Sequence, residues 1–231
     1  MNITNAIKNN TNPFFGSVDI GNVKHQGSYV YDEKTDEYFI KGSGSNIWST
    51  NDEFYFLYTK TSRNIIIQAC IDWIGQGKEP HRKSGIMIRK SLDPCSQFVC
   101  IANHGDGLIS FQFRDVPNGQ TSEIRFTDSL LSFIQLEKNN EEIIASTCLF
   151  GNDTNNIEKR KFDFINDSVY VGLFVCSHNP DVIESCKFYN VRLYSKIKEN
   201  FIPYTDYIGS RLEYLNVIDG KRQIIYETTD A

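Results

Sequence analysis

Short extended segments, separated by clusters of turn-forming residues, run through almost the whole chain. They include NIIIQACIDW, KSGIMIRKS, QFVCIAN, LISFQFRD and SFIQLEK, and polar loops such as NHGDG and KNNE lie between segments of this kind. Apolar and polar residues alternate within several of these segments, and hardly any helical periodicity is present. So many strands at such short spacing predict an all-β protein, built as a two-sheet antiparallel sandwich or a barrel.

The 231 residues fit one large β domain, because all-β sandwiches and barrels of this size fold as single units. We assign residues 1–199 to this domain. Residues 200–231 differ in character, since a proline-bearing linker is followed by LEYLNV and RQIIYE, which an Asp-Gly turn joins into a predicted hairpin. An isolated hairpin is only marginally stable in water, so we expect it to pack on the main body.

Charge and cysteine usage exclude several classes of function. The net charge of −5, with scattered Lys and Arg, predicts no binding to nucleic acid or to an acidic membrane surface. The N-terminal MNITNAIKNNTNPFF has no signal-peptide core and no later segment is long enough to span a bilayer, so a cytoplasmic location is expected. Neither a metal nor a cofactor is predicted, and the sequence carries no signal for the oligomeric state.

Buried thiols rather than disulfides are expected for the six cysteines, Cys70, Cys95, Cys100, Cys148, Cys176 and Cys186.

Several ordered motifs resemble the concanavalin A-like lectin/glucanase superfamily, and within it a poorly characterised bacterial branch. They are GSGSNIW, NDEFYF, RKSGIMIRKS, HGDGLISFQFRD and VGLFVCSHNPDVIESCKFYNVRL, which lie within residues 16–195. The resemblance implies a jelly roll of two curved antiparallel sheets, one of them concave. It also implies that YTDYIGSRLEYLNVIDGKRQIIYE is the remnant of a Tol-type propeller start. The chain departs from the pattern at STCLFGNDTNNIEK, where relatives carry a turn that ends in a tryptophan, so a sugar-stacking residue is missing there.

Polar residues at alternate positions of three predicted strands, with others near strand ends, outline a candidate ligand-binding face. If sequential strands are neighbours, the strand residues share one face and the others border it. Carboxylate, amide and guanidinium groups suit a hydroxyl-rich ligand, and two arginines favour an acidic carbohydrate. The strand residues are Asp72, Arg89, Gln112 and Arg114, and the bordering residues are Trp48, His104 and Asp106.

Three functions follow from this face. The first is a lectin-like, carbohydrate-binding module without catalysis of its own. The second is a glycoside hydrolase or related sugar-processing enzyme with Asp72 or Asp106 as acid/base. The paired-carboxylate strand that the resemblance implies for glucanases is missing, and the adjacent Asp52 and Glu53 point to opposite faces of a strand. The third is a structural or protein-interaction module, in which alternating polar residues form only a solvated strand face.

Overall fold

The computed structural model describes residues 12–126, 133–148, 156–196, 201–203, 211–216 and 222–227. These ranges contain β-strands and one short 3-10 helix, Asp163–Asn166. In chain order the strands are β1 Gly16–Ile20, β2 Ser28–Asp32, β3 Glu37–Gly42, β4 Ile47–Trp48, β5 Asn51–Asp52, β6 Phe54–Thr61, β7 Asn64–Ile74, β8 Lys83–Arg89, β9 Phe98–His104, β10 Ile109–Arg114, β11 Ser122–Arg125, β12 Phe133–Asn139, β13 Glu142–Cys148, β14 Asn156–Lys161, β15 Val169–Cys176, β16 Glu184–Lys196, β17 Phe201–Pro203, β18 Arg211–Asn216 and β19 Arg222–Glu227.

Two seven-stranded antiparallel sheets form the body of the protein. Sheet A has the order β1-β6-β15-β8-β9-β10-β11, and sheet B has the order β14-β13-β12-β7-β16-β3-β2. Neighbours in each sheet are often distant in sequence, as β15 beside β6 and β8 shows, which is typical of a jelly roll rather than a simple meander. The predicted all-β, two-sheet jelly-roll sandwich is therefore confirmed.

The main core lies between the two sheets and follows from the alternation within each strand. Sheet A contributes residues such as Ile86, Ile101 and Phe111, and sheet B contributes residues such as Ile67 and Leu136, all of them fully or almost fully buried. Because successive side chains of a strand point to opposite faces, the residues between them must lie on the outer face of each sheet. On sheet A this outer face carries the candidate site.

The outer face of sheet A is also buried, which the alternating pattern did not predict. Phe54, Phe56, Met87, Phe98 and Phe174 form a second hydrophobic cluster there, separate from the main core. The segments 43–53 and 90–97 contribute Ile47 and Leu92 to this cluster. Strands β8 and β10 are consequently buried along their whole length on both faces.

Gly172, in the middle of β15, lies against the backbone of the neighbouring strand β6. A Cβ added at this position would lie 1.9 Å from the carbonyl oxygen of Leu57. We therefore expect Gly172→Ala to lower the free energy of unfolding by about 1–3 kcal/mol, because the backbone of a central strand has to shift. Urea denaturation measures this change. The control Val30→Ala alters an exposed position on an outermost strand of sheet B and should stay within about 0.5 kcal/mol of wild type; an equally small change for Gly172→Ala would contradict the close approach.

The cysteines largely follow the predictions. Cys70, Cys100, Cys176 and Cys186 are buried free thiols, and Cys95 is a half-buried one. Burial raises the pKa of Cys100, Cys176 and Cys186 to about 12, so these thiols stay protonated and unreactive. The side chain of Cys148 lies outside the described residues. Trp73 packs against the main core, as its position in an apolar alternation predicts.

The C-terminal segment contains the predicted hairpin. Strand β18 pairs antiparallel with β19, and β17 adds a third strand next to β18. Its Asp-Gly turn and the centre of the STCLFGNDTNNIEK segment lie outside the described residues, so the packing of the hairpin on the sandwich and the effect of the missing tryptophan stay predictions. Across the described ranges, no helix is both long enough and apolar enough to cross a membrane.

Candidate functional site

Sheet A brings together most of the predicted ligand-binding residues. Arg89 ends β8, His104 ends β9, and Gln112 and Arg114 lie on β10, all with side chains on the outer face. Cross-strand pairing aligns the outward-facing residues of the three strands. Gln112 on β10 lies opposite Cys100 on β9, and Cys100 lies opposite Met87 on β8. The strands β8, β9 and β10 are sequential neighbours, as predicted.

Asp72 does not belong to this face. It lies on β7 in sheet B, where its Oδ2 is 3.3 Å from the Nζ of Lys187 on β16. The assumption that sequential strands are neighbours fails here, because the chain crosses from sheet B to sheet A between β7 and β8. Alternation alone cannot detect such a crossover, since β7 and β8 each bury one face in the same core.

At one end of the outer face, Arg114 and Asp52 form a fully buried ion pair. Two parallel hydrogen bonds join them, from Nη1 to Oδ2 at 2.8 Å and from Nη2 to Oδ1 at 2.7 Å. Arg114 also donates to the carbonyl oxygens of Ser49, Ser96 and Gly119. Its guanidinium therefore ties β10 to the three loop segments that cover this end of the sheet.

Arg89 completes this arginine cluster, which we define as Asp52, Arg89 and Arg114. The Nη2 of Arg89 lies 3.7 Å from the Oδ2 of Asp52, and its other donors bind the carbonyl oxygens of Ser91 and Asp93. Burial lowers the pKa of Arg89 to about 10, which still leaves it charged at neutral pH. Burial raises the pKa of Asp52, and the contacts with both arginines oppose that rise. The donors of both arginines are thus used within the chain.

The other end of the outer face has a different polar network, built on His104 and Gln112. Gln112 Nε2 donates to Glu123 Oε1 at 2.9 Å and lies 3.0 Å from Ser110 Oγ and 3.3 Å from His104 Nε2. Burial, followed by the nearby charge of Lys83, lowers the pKa of His104 to about 4. His104 is therefore a neutral imidazole at pH 7, and its Nε2 faces hydrogen-bond donors.

Two atoms of this network have no hydrogen-bond partner although they are buried. They are His104 Nδ1 and Gln112 Oε1. Buried polar atoms are nearly always paired, so each unpaired one calls for an explanation such as a ligand or a water. We use the name polar end for this group of residues, which are Lys83, His104, Ser110, Gln112 and Glu123.

Lys83 and Trp48 lie next to each other at the polar end. Lys83 Nζ donates to Asn46 Oδ1 and to the carbonyl oxygen of Ile47, both at 2.9 Å, and sits 5.1 Å from the centre of the Trp48 ring. The Trp48 side chain is 39% exposed, whereas Lys83 is almost fully buried. Trp48 thus places an accessible aromatic surface beside a buried cation.

His81, His178 and Asp106 border the polar end. The His81 ring makes edge contacts with the rings of His104 and His178, with ring centres 6.3 and 5.7 Å apart. Asp106 Oδ2 lies 3.9 Å from His81 Nδ1. In the part of the chain that the structure describes, no three His, Cys, Asp or Glu side chains are arranged to hold a metal ion.

Some residues of the polar end were not among the ligand-binding residues predicted from the sequence. Extending the alternation of KSGIMIRKS by one step places Lys83 on the same face as Arg89, and the alternation of SEIRFTD places Glu123 and Arg125 together. Glu123 is held as a carboxylate, because hydrogen bonds from Arg125, Gln112 and Ser110 outweigh its burial and lower its pKa. Nothing in the sequence points to Asp52 as the partner of Arg114, since only tertiary packing joins them.

A cavity of about 610 Å³ lies at the end of the sandwich opposite the polar end, and none of the predicted ligand-binding residues lines it. Hydroxyl groups line much of it, together with Lys60 and Arg63, and the exposed ring of Phe15 lies at its edge. None of its buried polar atoms lacks a partner. The polar end therefore carries the stronger signal for a ligand.

These features define a sandwich with the concanavalin A-like lectin/glucanase fold. No protein-family model matches the sequence, and no match to a curated protein is found. Solved structures share the fold at low identity. A Saccharomyces cerevisiae protein of unknown function aligns with a TM-score of 0.55 and 12% identity, over 76% of this chain and all of the other.

Two enzymes have the same fold. A Bacillus licheniformis β-glucanase aligns with a TM-score of 0.51 and 11% identity, over 82% of this chain and 95% of the enzyme. A family 7 alginate lyase, solved in complex with substrate, aligns with a TM-score of 0.50 and 9% identity, over 74% of this chain and 83% of the lyase. Identities this low establish the fold and not the function. Nothing in these comparisons supports the Tol-type propeller relationship of the C-terminal segment.

Proposed function

We propose that this protein is a lectin-like, carbohydrate-binding module without catalysis of its own, and that the polar end is its binding site. The observation that carries this proposal is the pair of unpartnered buried atoms, His104 Nδ1 and Gln112 Oε1. Sugars present closely spaced hydroxyl groups that both donate and accept, so one ligand can pair with both of these atoms.

Trp48 supplies the apolar part of such a site. Carbohydrate rings have apolar C–H faces that pack on aromatic rings, and Trp48 is exposed next to the polar end. Asp106, also at this border, adds a carboxylate that can accept hydrogen bonds from hydroxyl groups. The ligand set is therefore Trp48, His104, Asp106 and Gln112. Arg89 and Arg114 are left out of it because Asp52 and backbone carbonyl groups occupy their donors, and Asp72 because it lies in sheet B.

Loss of the Trp48 ring tests the proposal most directly. We expect Trp48→Ala to weaken binding of any glycan found on an array by about tenfold or more, as truncation of an aromatic anchor does at binding sites. Isothermal titration calorimetry with that glycan measures the change. Phe15→Ala is the matched control, because Phe15 is a more exposed aromatic residue at the opposite end of the sandwich. Equal weakening by both variants, or by neither, would contradict a site at the polar end.

A glycoside hydrolase is the second candidate, and the ionised Glu123 is the observation that favours it. With Asp52 paired to arginine and Asp72 in the other sheet, Glu123 at the polar end and Asp106 at its border are the carboxylates that remain for this role. Release of reducing sugars from a bound oligosaccharide by wild type, and its loss in Glu123→Gln, would replace the lectin proposal by this one. No glycan binding at all would instead favour a protein-interaction module.

A further inference from the structure

Lys83 is a buried cation without a carboxylate partner in the described part of the chain. Only 3% of its surface is exposed, and the acceptors of its ammonium group are the neutral oxygens of Asn46 and Ile47. These use two of its three N–H groups. Burial of a charge is costly unless an opposite charge compensates for it, and here burial lowers the pKa of Lys83. Among the described residues, no neighbouring anion therefore balances the positive charge of Lys83.

His104 adds an unused donor next to this cation. Lys83 and His104 are directly paired across β8 and β9, so their side chains lie side by side on the outer face. Gln112 Nε2 lies 3.3 Å from His104 Nε2, and in the tautomer in which that nitrogen accepts, the imidazole proton lies on Nδ1. That N–H group is buried and has no acceptor.

The carboxylates nearby do not fill this gap. Glu123 is bound by Gln112 and by Arg125 Nε at 2.7 Å, and Asp106 Oδ1 accepts from the backbone N–H of Leu108 at 3.0 Å while its Oδ2 faces His81. The Nδ1 atom of His178, a third polar atom at this border, is also buried without a partner. An ammonium group and an imidazole N–H group thus lie together with no anion between them.

We propose that the carbohydrate ligand carries an anionic oxygen group, such as the carboxylate of a uronic acid, and that Lys83 and His104 bind it. This inference rests on the proposed function and specifies its ligand class. A carboxylate would accept from Lys83 Nζ and His104 Nδ1, a neighbouring hydroxyl would donate to Gln112 Oε1, and the sugar ring would pack on Trp48. A sulfated sugar presents the same kind of anionic oxygens.

The test compares ligands on the unmodified protein. We expect wild type to bind an oligogalacturonide at least about tenfold more tightly than its methyl ester, because esterification removes the charge that strengthens these hydrogen bonds. A sulfated oligosaccharide and its desulfated form make a second pair, and show whether the anion is a carboxylate or a sulfate. Equal binding of charged and neutral members in both pairs would overturn the anionic ligand while leaving the lectin proposal intact. No binding to any glycan would overturn both.

A charge-removing variant assigns the effect to Lys83. Lys83→Met should reduce the preference for the charged member to about twofold or less, as loss of a charge-assisted hydrogen bond predicts. Lys60→Met is a matched control, because Lys60 Nζ also lies 5.1 Å from an aromatic ring centre, that of Tyr170, yet at the opposite end of the sandwich. It should keep the wild-type preference, and thermal melting checks that both variants are folded. A folded Lys83→Met protein with the full wild-type preference would overturn the assignment.

Discussion

Arg114→Ala is expected to lower the free energy of unfolding by about 3–5 kcal/mol, the largest single effect that we expect in this protein. The substitution removes both hydrogen bonds to Asp52 and leaves that carboxylate fully buried with only Arg89, at 3.7 Å, as a cationic partner. It also frees the carbonyl oxygens of the loops that Arg114 holds against sheet A. Urea denaturation followed by tryptophan fluorescence measures the change.

Two further variants show whether the unpaired carboxylate is the cause. Lys90→Ala removes a surface ion pair, with Asp167 at 2.8 Å, and should cost less than about 1 kcal/mol. Arg114→Met combined with Asp52→Asn should be more stable than Arg114→Met alone, since no carboxylate is left unpaired. If Arg114→Ala costs no more than the surface control, the arginine cluster does not hold this end of the sheet together.

Acid is expected to destabilise the protein through His104. The pKa of His104 is about 4 in the folded protein, against 6.5 in an unfolded chain, because burial and the charge of Lys83 disfavour the imidazolium. A depressed pKa means that the unfolded state binds the proton first. His104 therefore contributes its full stability above pH 6.5 and loses it as the pH falls towards 4, by about 3 kcal/mol.

Urea denaturation at a series of pH values between 7 and 4 checks this expectation. His104→Gln should decline less than wild type over this range, by about 3 kcal/mol, while the half-buried His178, whose pKa is also lowered, is kept in both proteins. His81→Gln removes the exposed histidine that contacts His104 and serves as the control, with the wild-type decline retained. Glu123 and Asp106 also face His104, so their neutral variants measure how far these carboxylates support its protonation. Parallel pH profiles of wild type and His104→Gln would show that His104 is not held neutral by its surroundings.

The strands and the face on which each of their side chains lies could be predicted from the sequence. Alternation in LISFQFRD and KSGIMIRKS predicted β10 and β8, and it placed Arg89, Gln112 and Arg114 on the face opposite the main core. This works because a strand has a side-chain period of two, whichever sheet it joins. The same rule, taken one alternate position further along β8, would have found Lys83.

Only the tertiary structure shows which residues surround and pair with those of the polar face. The crossover between β7 and β8 places Asp72 on the other sheet, and the segments 43–53 and 90–97 pack Ile47 and Leu92 against the hydrophobic cluster on the outer face of sheet A. Asp52, 62 residues before Arg114, forms a buried ion pair with this arginine, which the sequence analysis placed among the ligand-binding residues. The alternation of side chains between the two faces of a strand depends only on residues close in sequence, so it can be predicted from the sequence. Pairing of buried charges depends on which distant loops fold over the sheet, and this is fixed only when the whole sandwich is assembled.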